Sequence, residues 1–133
     1  MNHDDVQSWL DRYVAAWESY DEAEIGELFS ADAVYRYHPQ DEGVSGRAAI
    51  VADWLTQGGD PAKRDAPGTF EGDYAPYAVD DDVAVAVGTT IYWTDATHAT
   101  VVRRYYNVYL LAFDADGKCR SFTEYYLAPR KGT

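Results

Sequence analysis

Between Asp4 and Tyr20 the apolar residues Val6, Trp9, Leu10, Tyr13, Val14 and Trp17 recur at steps of three and four, which gathers them into one wide stripe of a helix. A stripe of that width needs a core to cover it. Asp21 follows as a cap with Glu24 three residues on, and Ile25, Leu28 and Phe29 form the inner edge of a second, short helix. A brief strand from Ala33 to Tyr37 comes next, then a third helix from about Arg47 to Gln57, stopped by Gly58, Gly59 and Pro61.

After about Gly68 the helical period gives way to strand patterns, over roughly Thr69–Val79, Val83–Trp93, Thr100–Phe113 and Lys118–Leu127. Between them lie the turn signals Asp80-Asp81-Asp82, Thr94-Asp95 and Asp114-Ala115-Asp116-Gly117. Three hairpins in a row predict an antiparallel meander. Helices first and strands later predict an α+β fold with the helices against one face of a curved sheet.

Alternation assigns the faces. Within Val83–Trp93, the set Ala84, Ala86, Gly88, Thr90 and Tyr92 is small and faces the helices, while Val85, Val87, Ile91 and Trp93 face outward. The small strip is expected to leave empty volume, so Gly88→Leu should fill a cavity at little cost in stability. In the next strand Tyr105, Asn107, Tyr109, Leu111 and Phe113 share the inner face, and Tyr106, Val108 and Leu110 lie outside. Apolar residues on both faces imply a cover on each. Helices serve one face, and a second copy of the chain is expected on the other, as a homodimer.

At 133 residues the chain is expected to form a single domain, residues 1–133. Its 23 acidic and 11 basic residues give a net charge of −12, which opposes nucleic-acid phosphates and anionic lipid, so neither is an expected partner. Cys119 is the only cysteine, too few for an intrachain disulfide or a thiolate zinc site, and it reads as core filling. His3, His38 and His98 sit in different elements, and there is no Gly-rich phosphate loop or nucleophile elbow; no metal or cofactor is expected. The N-terminus lacks a signal-peptide pattern and no apolar run reaches spanning length, which points to the cytoplasm.

The succession Arg12-Tyr13, Tyr20-Asp21, Leu28-Phe29-Ser30-Ala31-Asp32-Ala33, Ser45-Gly46-Arg47-Ala48-Ala49-Ile50, Phe113-Asp114-Ala115-Asp116-Gly117-Lys118 and Glu124-Tyr125-Tyr126 resembles the nuclear transport factor 2-like superfamily. The nearest likeness is to its ketosteroid isomerase and SnoaL-like polyketide cyclase branch. The resemblance implies a cone of about three N-terminal helices on a strongly curved, mainly antiparallel sheet that encloses a pocket, in a commonly dimeric protein. It implies no single reaction.

Carried over residue by residue, the likeness to ketosteroid isomerase puts Tyr13 at the oxyanion-binding tyrosine, Tyr109 at a second oxyanion donor, and His38 at the general base. A one-residue insertion leaves Tyr37 as the alternative at the base position. Imidazole accepts protons near neutrality and phenol donates hydrogen bonds, so the exchanges keep a workable chemistry. A likeness to limonene epoxide hydrolase puts Tyr35 and Tyr37 at its water-orienting residues and Glu124 at its final-strand aspartate. Its other acid and its arginine fall near Thr90 and Gly88, which cannot replace them, so that hydrolysis is not expected.

The resulting expectation is a cofactor-independent acid–base enzyme, of isomerase, cyclase or dehydratase type, acting on an apolar carbonyl-containing or polycyclic substrate. His38, Tyr13, Tyr109 and Glu124 would be catalytic, and Tyr35, Tyr37, Trp17, Asn107, Phe122 and Tyr126 would line the ligand site. The alternative is a noncatalytic module that holds a hydrophobic ligand in the same cavity.

Overall fold

In the computed structural model, which describes residues 1–56 and 64–131, α1 (His3–Ser19) starts on a reciprocal cap. Asp5 N donates to the Asn2 side chain and Asn2 N to the Asp5 carboxylate, each at 2.9 Å. The stripe read from the sequence is the buried face, with Val6, Trp9, Leu10, Tyr13 and Ala16. Helix α2 (Glu22–Glu27) has Asp21 as its cap, accepting from Glu24 N at 2.9 Å. The Trp9 indole donates to the Leu28 carbonyl at 3.0 Å and so ties the two helices together.

Strand β1 (Phe29–Arg36) is followed by a two-residue strand β2 (Val44–Ser45), helix α3 (Arg47–Thr56), and the strands β3 (Phe70–Asp80), β4 (Val83–Trp93), β5 (Val101–Phe113) and β6 (Cys119–Leu127). The predicted stop at Gly58, Gly59 and Pro61, with Gln57, lies outside the described residues. One six-stranded sheet runs in the order β2-β1-β6-β5-β4-β3. The meander β3 to β6 is antiparallel as expected, while β1 joins it by pairing parallel to β6. Two features escaped the pattern. Strand β1 begins at Phe29, opposite Cys119, rather than at Ala33, and β2 is too short to show alternation.

Side-chain parity holds: Ala84, Ala86 and Thr90 are buried where Val83 and Val87 are exposed, and Asn107, Tyr109 and Leu111 are buried where Tyr106 and Leu110 are exposed. The expected void above Gly88 is not there. Tyr74 pairs with Gly88 across β3 and β4 and lays its ring on it, so a Cβ at Gly88 would come within 2.6 Å of the Tyr74 ring and fall on the Asp73 carbonyl. The small strip makes room for a neighbouring strand's tyrosine.

Trp9 sits at the middle of the core, with Tyr13 stacked at 5.5 Å and Phe29, Phe113 and Phe122 around it. Cys119 is fully buried, and burial pushes its thiol up to about 12, so it packs as an apolar group. No helix among the described residues is long and apolar enough to cross a membrane.

Candidate functional site

Between the helices and the concave face of the sheet lies a cavity of about 150 Å³. Helix α1 contributes Tyr13 and Trp17, β1 contributes Tyr35 and Tyr37, and α3 contributes Trp54. The far wall is Tyr74 of β3, Thr90 and Tyr92 of β4, Tyr109 of β5 and Glu124 of β6, with Asp65 from the segment before β3. Alternation places most of them, since Tyr35 and Tyr37, like Thr90 and Tyr92, stand two apart on one face.

Glu124 is held by a chain of side chains that crosses the sheet. Asn107 Nδ2 donates to Glu124 Oε1 at 3.1 Å, and Thr90 Oγ1 donates to Asn107 Oδ1 at 2.8 Å. Thr90 also bonds the Tyr74 hydroxyl, and the Tyr109 ring lies 4.8 Å from that of Tyr74. Since Thr90 has a single proton and gives it to Asn107, Tyr74 donates to Thr90. The whole chain thus points its protons toward Glu124, and Asn107 turns its amide NH₂ to the carboxyl group. Oε2 is left for a proton or a ligand.

Burial pushes Glu124 up to about 7, although the Asn107 hydrogen bond favours the charged form. Burial also lifts Tyr13, Tyr35 and Tyr109 well above the ordinary phenol range, and Tyr37, Tyr74 and Tyr92 shift in the same direction. The tyrosines therefore keep their protons through neutral pH while Glu124 changes state. Tyr13 and Tyr35 hydroxyls meet at 2.9 Å. That contact uses one of their two protons, so the other remains for a ligand oxygen.

At the mouth, Trp17 Nε1 donates to Asp65 Oδ2 at 3.0 Å, and Asp65 N donates to the Tyr20 hydroxyl at 3.1 Å. The Tyr37 hydroxyl donates to Asp53 at 2.6 Å.

Of the residues expected at the site, Tyr13, Tyr109, Glu124, Tyr35, Tyr37 and Trp17 border the cavity. Asn107 is behind Glu124, and Phe122 backs the wall, stacked on Tyr35 at 4.3 Å. Two expected residues stand elsewhere. Tyr126 is 48% exposed, its ring edge-on to Tyr105. His38 is exposed in the turn after β1, its Nδ1 accepting from Gln40 N at 3.0 Å. Ala33 and Tyr35 are buried and Tyr37 borders the cavity, so the next residue in that alternation turns outward; Tyr37 takes the inward position. Tyr109 is brought to the cavity, its ring 4.8 Å from that of Tyr74. Sequence reasoning missed Trp54, Tyr74 and Asp65. The first two lie in elements it had placed, where their partner strands decide which ring reaches inward, and Asp65 sits in a loop with no periodicity to read.

A family model described as a SnoaL-like domain matches residues 10–122. Similar solved structures include a nuclear transport factor 2-like protein of unknown function from Burkholderia xenovorans LB400, 18% identical, with a TM-score of 0.66 over 98% of this chain and 88% of that one. Two structures from Catenulispora acidiphila also match with TM-scores of 0.66. One is 23% identical over 92% of this chain and 89% of that chain, and the other, in complex with S-DNPA, is 20% identical over 92% and 91%. No protein of curated function matches the chain.

Proposed function

The chain belongs to the SnoaL-like domain family, and on that premise we propose that its cavity is the site of a cofactor-independent acid–base enzyme in which Glu124 carries the proton. The observation behind the reading is a carboxyl group at about 7 inside an aromatic cavity. Near neutral pH both of its forms are populated, which suits a group that takes a proton from one atom and returns it to another. The Tyr13–Tyr35 pair supplies a hydrogen-bond donor to the oxygen on which charge develops. Tyr74, Thr90 and Asn107 act as positioning residues, and His38 takes no part.

The cavity limits the substrate. An engineered apolar cavity of about 150 Å³ accepts benzene, so a volume of about 150 Å³ suits a single ring or its equivalent, and a polycyclic substrate would leave most of its bulk outside. Isomerisation, cyclisation or dehydration of a small carbonyl compound fits both size and chemistry. A fold neighbour in complex with S-DNPA supports ligand holding by this architecture.

Deuterium exchange next to the carbonyl of monocyclic ketones, followed by proton NMR, tests the reading. Glu124→Gln should lower the catalysed rate by about 10² to 10⁴, the usual contribution of a positioned base, with folding retained. Equal rates in the two proteins would instead favour the second reading, a noncatalytic binder. That reading draws on the remaining Tyr13–Tyr35 proton, which can hold a ligand oxygen without any proton transfer.

A further inference from the structure

Two carboxyl groups face the cavity, Glu124 and Asp65, and among the described residues its lining includes no lysine, arginine or histidine. Glu124 has an amide for its partner, and among the described residues no cation holds its pKa down. Asp65 accepts from an indole and a phenol. Arg120, at the start of β6 and away from the cavity, is paired with Asp82. Carboxylates removed from water are ordinarily matched by a counter-charge, and none of the described residues supplies one to Glu124.

Apart from Thr90, the rest of the lining is aromatic, with Trp17, Trp54, Tyr13, Tyr37 and Tyr92 among it. A cation on the face of such a ring gains about 0.5–1 kcal/mol when exposed and about 2 when desolvated. The rings beside Asp65 already take cations this way: the Arg103 guanidinium lies 4.3 Å over Tyr92 and that of Arg64 5.4 Å over Tyr20. A net charge of −12 further draws cations to the molecule and opposes anions.

We propose that the substrate of this site carries a small organic cation, an amine or quaternary ammonium group, seated between the aromatic wall and the Glu124 carboxyl. This rests on the cavity being the substrate site. The bound cation holds Glu124 ionised and therefore ready to accept a proton. The groups facing Glu124 are tyrosines from α1, β1, β3, β4 and β5, which keep their protons through neutral pH. Asp53 of α3 stands behind Tyr37, with Asp65 at the mouth and Arg103 over Tyr92. Binding of a permanent cation should therefore strengthen as Glu124 ionises.

Choline and its neutral isostere 3,3-dimethylbutan-1-ol, titrated by calorimetry, separate charge from shape. At pH 8 choline should bind about tenfold tighter, equivalent to about 1.4 kcal/mol, and the preference should shrink to about twofold at pH 5.5 and in Glu124→Gln. Tyr37→Leu, a ring at the cavity rim outside the buried core, should weaken choline and leave the isostere unchanged. Equal or tighter binding of the isostere at pH 8, no binding of choline at millimolar concentration, or a preference that persists in Glu124→Gln overturns the cation. If neutral ketones still exchange protons in a Glu124-dependent way under any of those outcomes, the acid–base reading stands without it.

Discussion

Burial brings the titration of Glu124 into the neutral range. An ordinary glutamate loses its proton near 4.3, whereas this one keeps it to about 7 because burial removes the water that would stabilise the charge. The folded chain consequently binds more protons than the unfolded chain between those values. The stability tied to this group is therefore complete at low pH and is lost as pH rises through 7. Glu124→Gln keeps the shape and the acceptor for Asn107 without the charge. At pH 8 the variant should be more stable than the parent by about 1–3 kcal/mol, one pKa unit being about 1.4 kcal/mol and partial exposure screening some of the shift. At pH 4 the two should melt together. Thermal unfolding across that range checks it, and a parent more stable than the variant at pH 8 would show that the carboxylate is stabilised by contacts other than those described.

At the level of elements, the β3–β4 pair sets the site. Tyr74 reaches Thr90 because Gly88, directly opposite it, has no side chain to push the ring away. Gly88→Ala should cost about 1–3 kcal/mol through overpacking, read as a fall in melting temperature together with a higher Glu124 pKa, because the Asn107 hydrogen bond that favours the charged form loosens with the chain through Thr90. A variant as stable as the parent would mean that the strands part more easily than their register suggests. These elements also show what local pattern can and cannot carry. Period-two alternation placed β4 at Val83–Trp93 to the residue, since both faces of a central strand are constrained by neighbours. The parallel join of β1 to β6 and the ring of Tyr74 over Gly88 depend on register between distant segments, which no single strand encodes. His38 was legible in principle: Ala33, Tyr35 and Tyr37 alternate inward and leave it outside, yet motif alignment pointed the other way. Glu124 and Tyr13 were found because the family likeness and the inward parity agree.

Across the whole molecule, two surfaces of the sheet have different tasks. The concave face holds the cavity, and the convex face exposes Val83, Val87, Tyr106, Leu110 and Tyr125. An apolar face of this kind is expected to be covered by a second copy of the chain, in an interface of about 800 Å² per partner. Leu110→Glu should then convert a dimer into a monomer in light scattering at micromolar concentration, and a parent protein that is itself monomeric there would refute the pairing. The concave face meanwhile takes one carboxyl group out of water and surrounds it with rings that cannot neutralise it. Carboxyl-carbon NMR of Glu124 across pH 4 to 9 in the ligand-free protein measures that outcome directly. The structure predicts a midpoint at about 7, whereas a midpoint near 4.3, the value of a glutamate in water, would contradict it and with it the proton-carrying role.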